Sequence, residues 1–217
     1  MSTASEARPN SRKARAAETR RRLVAAAVDL FSEQHFDDVA VSDIAARAGV
    51  ANGLLFHYFD GKRGIYLEAM RAAAAELDFV HEIPADLPAG RQFRLYFQRH
   101  LEYFAGHRGL ALRLLRGGRG SDPEAWAMFE TGRQHVLDWA AELFELDPRS
   151  APLQMMLRSL SAAFDEMTVQ WLEQGQALAV SAMVEEVVVL TVTCLQSAQR
   201  FDPALDVAPA VRKLRRR

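Results

Sequence analysis

The sequence predicts an all-α chain in which an N-terminal three-helix module with a helix-turn-helix is joined by a fourth helix to a larger helical domain. Three observations lead there. Apolar residues recur at spacings of three and four along most of the chain, with no convincing apolar/polar alternation and no Asn-Gly hairpin. Residues 41–63 place a small residue, a glycine and apolar plugs where two crossing helices need them. A stretch with two prolines, residues 81–90, then interrupts the helical pattern.

The elements follow in order. Leu23, Ala27, Leu30 and Phe31 form one apolar stripe on a helix over about residues 14–33. Phe36 enters a short turn, and residues 42–48 make a second helix with Ile44 and Ala45 inward, ended by Gly49. A third helix covers about 52–58, Asp60 and Gly61 break it, and a fourth covers about 62–79. Beyond the proline stretch, helices are expected near 91–107, 110–116, 123–146, 153–174 and 182–201, with breaks at 117–120, 147–148 and Gly175. The expected domains are a basic, flexible arm (1–16), a helical domain with the helix-turn-helix (17–77, helix-turn-helix 40–59), a larger C-terminal helical domain (85–204) and a basic tail (205–217).

Composition narrows the class. Hydrophobic residues at 49% and charged residues at 25% of 217 are globular values, which sets aside wholesale disorder and fibrous chains. The single cysteine, Cys194, forms no intrachain disulfide and suits a reducing cytoplasm. The longest apolar stretch, residues 187–195, is about half of the roughly 20 residues a membrane span requires, so no span is expected. No secretory signal is read at the N-terminus. Charge is uneven: residues 1–75 hold 11 Lys and Arg against 9 Asp and Glu, residues 76–211 hold 11 against 19, and the last six hold 5 against none. The basic run from Arg8 through Arg12, Lys13, Arg15, Arg20 and Arg21 to Arg22 suits a polyanion.

Within residues 41–63, Ala45 lets two helices cross closely, Gly49 takes the positive φ of a tight turn, and Val50 and Leu55 fill the angle between helices. That geometry projects the second helix into a major groove about 12 Å wide. Leu23, Ala26, Ala27, Leu30, Phe31, Phe36, Ile44, Ala45, Ala48, Gly49, Val50, Gly53, Leu55, Phe59, Lys62 and Leu67 keep unbroken register over some 50 residues. In this segment the chain resembles the TetR (tetracycline repressor) family. The resemblance implies a homodimeric DNA-binding regulator, by family default a repressor on a near-palindromic operator, released by a small lipophilic effector and located in the cytoplasm at the nucleoid. No cofactor is expected.

On that resemblance the DNA contacts are Ser42, Asn52, Gly53, Leu54, His57, Tyr58 and Lys62. Asn52 would bond an adenine edge or a phosphate, Gly53 would permit close backbone approach, and Leu54 would touch a thymine methyl. His57 and Tyr58 resemble the family's contacting positions, while Lys62 and Ser42 would hold phosphates. Three departures stand out: Ala40 and Ala51 replace the family's usual Ser or Thr caps, and Phe56 replaces a tyrosine. The basic arm is expected to compensate by neutralising phosphates and entering a minor groove.

In the second domain, Leu153, Met156, Leu157, Leu160, Phe164, Met167 and Trp171 share a stripe, and apolar residues surround the last long helix. A four-helix dimer interface is expected from Leu153, Met156, Leu160, Met167, Trp171, Val184, Val188, Thr191 and Leu195. By analogy with the family, Phe97, Leu101, Phe104, Trp126, Phe129, Arg133, Phe164 and Thr168 would line the effector pocket, with Gln134 or Asp165 as further polar groups. His81, His100, His107 and His135 lack metal-ligand spacing, so no metal site is expected. No nucleophile elbow, P-loop or HExxH occurs, and an enzyme is not expected. The competing reading is a helical interaction or ligand-binding protein with weak or lost sequence-specific DNA binding, motivated by Ala40, Ala51 and Phe56.

Overall fold

Ala, Arg and Lys are strong helix formers, and they carry the first helix, α1 (Ala7–Glu33), seven residues further upstream than the apolar stripe alone predicts. The computed structural model describes residues 7–80, 82–117 and 122–216, with side chains over 13–77, 82–116 and 122–216. Residues 7–16 of the expected arm are therefore continuous with α1; residues 1–6, and the side chains of Arg8 and Arg12, lie outside the described residues. A short 3-10 turn (Phe36–Asp38) leads to α2 (Val41–Ala48), α3 (Asn52–Phe59) and α4 (Lys62–Val80). After them come α5 (Ala89–Gly106), α6 (Arg108–Gly117), α7 (Pro123–Leu143), α8 (Ala151–Glu173), α9 (Val180–Phe201) and α10 (Ala208–Arg215). No strand occurs among the described residues. Of the expected break at 117–120, Gly118, Arg119 and Gly120 lie outside them.

The chain divides into two compact units, Met1–Ala75 and Glu76–Arg217. The division falls within α4, upstream of the proline stretch, whose His81 is not described.

In the first unit the stripe of α1, Leu23, Ala27, Leu30 and Phe31, is buried with Ile44 and Ala45 of α2, Leu55 and Phe59 of α3, and Ile65 and Tyr66 of α4. Phe31 stacks on Phe36 at 5.5 Å, and the Tyr66 ring meets both edge-on at 5.4 and 5.0 Å. These three rings tie α1, the 3-10 turn and α4 together, each pair adding about 0.5–1.5 kcal/mol beyond burial. Gly64 has a packing reason that no sequence signal revealed. A Cβ there would lie 1.6 Å from the Phe59 carbonyl oxygen, so only glycine lets α4 start so close to the end of α3.

In the second unit α8 and α9 form a hairpin. Its turn is set by Gly175 (φ 72°) and by the Trp171 indole, which donates to the Leu178 carbonyl at 2.8 Å. Leu153, Leu157, Leu160, Phe164, Thr168 and Trp171 of α8 pack with Val184, Val187, Val188, Thr191 and Leu195 of α9, all buried within one chain. Leu153, Leu160, Trp171, Val184, Val188, Thr191 and Leu195 are interior to the monomer, and Met156 and Met167 are half-buried. Helical periodicity marks a covered face without saying which chain covers it. By length and composition α9 could cross a membrane, but its buried residues pack against α5, α8 and α10.

Much of the basic tail expected over 205–217 is helical. Residues 208–215 form α10, whose Ala210, Val211 and Leu214 are buried against α5 and α9. The run of cations hides an apolar set at helical spacing. Gly90 lets the two helices meet, since a Cβ there would lie 2.3 Å from the Lys213 carbonyl oxygen. Arg94 closes the end of α10 by donating to the Leu214 and Arg216 carbonyls at 2.9 and 3.4 Å, while pairing with Glu185 at 2.7 Å. A cation at a helix C-terminus is favourable. Leu214→Ala is expected to lower the stability of the second unit by about 2–5 kcal/mol in urea unfolding; an unchanged midpoint would show that α10 is not part of the core.

Candidate functional site

The α2–α3 corner is built by its backbone. Gly49 adopts φ 64°, Val50 N–H donates to the Ala45 carbonyl and Gly49 N–H to the Ala46 carbonyl, both at 3.0 Å, the paired bonds of a Schellman turn. From α1 the Arg22 guanidinium reaches the Ala48 carbonyl, and the Gly49 carbonyl at 3.3 Å. Arg22, expected in the DNA-binding arm, is thus a structural clamp on the α2 C-terminus. Its neighbours are engaged as well: Arg20 pairs with Glu68 and lies over the Phe59 ring at 5.2 Å, and Arg21 pairs with Glu18. Lys13 and Arg15 remain exposed.

Leu55 and Phe59 are the buried residues of α3. Asn52, Gly53, Leu54, Phe56 and His57 are exposed and Tyr58 is half-buried. With Leu55 and Phe59 inward, a 3.6-residue period directs Gly53 and His57 most nearly outward, with Leu54 beside them and Phe56 and Tyr58 on the flanks, while Asn52 shares the side of Leu55 and is exposed at the start of the helix. Two large apolar side chains, Leu54 at 37% and Phe56 at 55% exposure, stand on this eight-residue helix. His57 and Tyr58 rings meet edge-on at 5.1 Å. A Cβ on Gly53 would have no protein atom within 4 Å, so the fold itself does not require glycine there. Ser42 is exposed in the first turn of α2. Lys62 begins α4, where its ammonium donates to the Asp37 carbonyl at 3.1 Å and sits 4.5 Å from the Phe36 ring centre. That placement holds the cation beside the corner.

Both alanine caps are as expected: Ala40 and Ala51 occupy the N-cap positions and make no side-chain cap bond. Sequence reasoning missed the partial remedy at α2, where Asp43 accepts from the Ala40 N–H at 3.2 Å, half of a capping box. It also missed Arg47, which pairs with Glu33 through two bonds of 2.9 and 3.0 Å and ties α2 to the end of α1. That pair holds the Glu33 carboxyl below its usual range, first through the hydrogen bond from Arg47.

The residues expected around an effector fall into two groups. Phe97 and Phe164 meet edge-on at 5.1 Å, and His100 bridges Phe164 and Phe104. Leu101 and Thr168 are fully buried, and the Thr168 hydroxyl is committed to the Phe164 carbonyl at 2.8 Å. In the second group Arg133 lies over the Phe129 and Trp126 rings at 4.6 and 5.5 Å and pairs with Asp165 and Glu130. Burial outweighs the Arg133 charge and pushes the Asp165 carboxyl up to about 6, with Glu130 adding to the rise. Of the expected effector residues, Phe97 and Gln134 line the two pockets described below. The others there, including Asp138, Gln154 and Arg158, were missed, although each lies at helical spacing beside an apolar stripe. Among the described residues no cluster of His, Cys, Asp and Glu has the arrangement of a metal site.

A three-helix corner with an exposed third helix defines a helix-turn-helix regulatory protein. Residues 23–69 match the family described as bacterial regulatory proteins, tetR family. These residues are thus similar to the helix-turn-helix domain of tetR-family transcriptional regulators. The chain is 26% identical over 146 residues to the A-factor receptor protein of Streptomyces griseus, covering 66% of this chain and 51% of that protein. It is 38% identical over 58 residues to the HTH-type transcriptional regulator BetI of Klebsiella pneumoniae, covering 27% and 30%. The chain thus spans about half, or less, of the length of these curated relatives. Among solved structures, a tetR-family regulator from Streptomyces coelicolor superposes with a TM-score of 0.81 at 24% identity, covering 91% of this chain and 88% of that one. FadR from Bacillus subtilis, solved with stearoyl-CoA, gives 0.59 at 21%, covering 78% and 96%. At these identities the structures establish the shared fold.

Two outcomes are expected. Ala51→Ser supplies the absent cap of α3 and should stabilise the first unit by about 0.5–2 kcal/mol in urea unfolding; no gain would mean the α3 N-terminus is already satisfied. Because the folded pKa of Asp165 is raised from 3.8 to about 6, the folded state retains its proton across that interval while the unfolded chain loses it. Its contribution to stability is therefore present below pH 4 and lost as pH rises to 6. Wild type should lose stability relative to Asp165→Asn over that window, and parallel curves would contradict the shift.

Proposed function

We propose that the protein is a transcriptional repressor that grips a near-palindromic DNA operator as a homodimer and is released by a small lipophilic effector, acting in the cytoplasm at the nucleoid. The observation that carries the DNA-binding part is the outward surface of α3. Its Gly53 is not demanded by packing, its Leu54 and Phe56 are exposed, and the helix carries no acidic residue among positions 52–59. Such a surface suits base edges and thymine methyls better than water. Gly53, His57 and Leu54 would face the groove floor, Asn52 and Tyr58 the groove walls, and Ser42 and Lys62 the phosphates. Since Arg20, Arg21 and Arg22 have protein partners, the arm's share of phosphate neutralisation would fall to Arg8, Arg12, Lys13 and Arg15.

The dimer would use the outward face of the α8–α9 hairpin. Met155 is 50% and Val189 55% exposed, and Ser159, Ala162, Ala163 and Thr193 continue the face with small side chains. A two-fold axis there would present two reading helices to successive major grooves. The effector part takes support from the names of two similar proteins, one a receptor for A-factor and one solved with stearoyl-CoA.

Selection from a random DNA library should enrich an inverted repeat. His57→Ala and Asn52→Ala should each relax preference at particular positions by about 1–3 kcal/mol; unchanged preferences in both would remove these residues from the reading. Deleting residues 1–15 should flatten the dependence of log affinity on log salt, and an unchanged slope would exclude the arm. Replacing Ala163 and Val189 by Asp should yield monomers in analytical ultracentrifugation with helix content intact; a persistent dimer would place the interface elsewhere.

A further inference from the structure

Helix α7 is long but lightly seated. Over its 21 residues it buries only Ala125 and Ala141, whereas α8, of 23 residues, buries eight, from Leu153 to Leu172. Trp126, Met128, Phe129, Val136, Leu137 and Trp139 of α7 are all half-buried. Two pockets that share Leu137, Ala141 and Leu157 lie against its C-terminal half. The outer one, of about 130 Å³, has Gln134, Asp138, Gln154 and Arg158 at its mouth. The inner one, of about 30 Å³, is walled by Phe93, Phe97, Val136, Phe144, Leu160 and Leu195. Its one hydroxyl, on Thr191, is committed to the Val187 carbonyl at 2.7 Å, so the inner wall offers nothing to a water molecule.

We propose that these adjoining pockets bind a small amphiphile, its carboxylate head on Arg158 at the α7–α8 seam and its hydrocarbon tail beneath α7, between Leu137 and Leu157. The proposal rests on the small-molecule reading above and gives that ligand a place and a chemical class. Arg158 is the pocket's cation, and its present partners are exchangeable: Glu130 at 3.3 Å and the Gln134 carbonyl oxygen at 3.0 Å. If it turns to a ligand, Glu130 keeps its ion pair with Arg133 at 2.9 Å. The two arginines differ in freedom, the Arg133 side chain being 13% exposed and that of Arg158 52%. Arg133 is the fixed latch between α7 and α8, and Arg158 is the group that trades partners. Asp138, the pocket's carboxylate, already accepts from Gln134 at 2.9 Å. Pockets that hold small ligands commonly measure about 300–1,000 Å³, so the tail must lift α7, which its light burial permits.

The test titrates the full-length protein with octanoate, butyrate, octan-1-ol and octylamine. It reads the fluorescence of Trp126 and Trp139, both on α7, together with calorimetry. Octanoate should saturate at one site per chain, at least tenfold tighter than butyrate or octylamine. Arg158→Gln, a surface change, should weaken octanoate tenfold or more and leave octanol unchanged. Leu137→Trp, checked for cooperative unfolding, should abolish both. Non-saturable octanoate binding, equal affinity for octanoate and octylamine, or wild-type affinity in Arg158→Gln would overturn the proposal. Octanoate bound as described but without effect on affinity for the selected DNA would leave the site standing and refute the effector reading.

Discussion

The backbone at Gly49 decides where α3 points, and every exposed side chain of α3 inherits its position from that turn. The left-handed conformation costs a residue with a Cβ about 1–2 kcal/mol. At this position a Cβ would also stand 2.8 Å from the Arg22 guanidinium. That guanidinium in turn holds the Ala48 and Gly49 carbonyls, so one arginine on α1 fixes the end of α2 and the start of the corner together. Behind the corner, Gly64 allows α4 to begin against the Phe59 carbonyl, and the Phe31, Phe36 and Tyr66 rings lock the base. The scaffold is rigid because each of its constraints removes a backbone freedom, while the α3 surface it displays is left bare.

The second unit distributes its stability differently. The α8–α9 hairpin uses its apolar stripes on itself, and α10 is drawn in by Leu214 and by Arg94, which satisfies the terminal carbonyls. Against this well-packed block α7 is held by a half-buried ionic latch, Arg133 with Asp165 and Glu130, and by the contact of Trp139 with Tyr96 at 4.9 Å. An ionic latch over an apolar gap yields more readily than a close-packed seam. The contrast between a dense hairpin and a light α7 gives the unit one part that stays and one part that can move.

How much of this was legible in the sequence follows from which physical signals are local. Helix periodicity and Gly49 placed α2 to α9 and the end of α1 within a few residues, while the start of α1 lies seven residues upstream of the expected helix, and the absence of caps at Ala40 and Ala51 was readable because capping is a single-residue property. The failures were nonlocal. Arg22 and Lys62 read as free cations because their partners, the carbonyls of residues 48, 49 and 37, lie 25 or more positions away. That the stripe on α8 is covered by α9 of the same chain was not legible, because periodicity does not name the covering chain. Helix α10 was lost because Ala210, Val211 and Leu214 stand among cations that dominate the composition. Arg158 and Gln154 were passed over since a polar residue beside a stripe looks like a solvated edge until the facing helix is known.

The central claim is that the outward face of α3 enters a major groove. Methylation interference on the selected DNA tests it directly, because methyl groups at guanine N7 occupy the major groove and those at adenine N3 the minor groove. N7 methylation at symmetric guanines in the two half-sites is expected to block binding. Interference confined to adenine N3, or none at guanine N7 in either half-site, would contradict it.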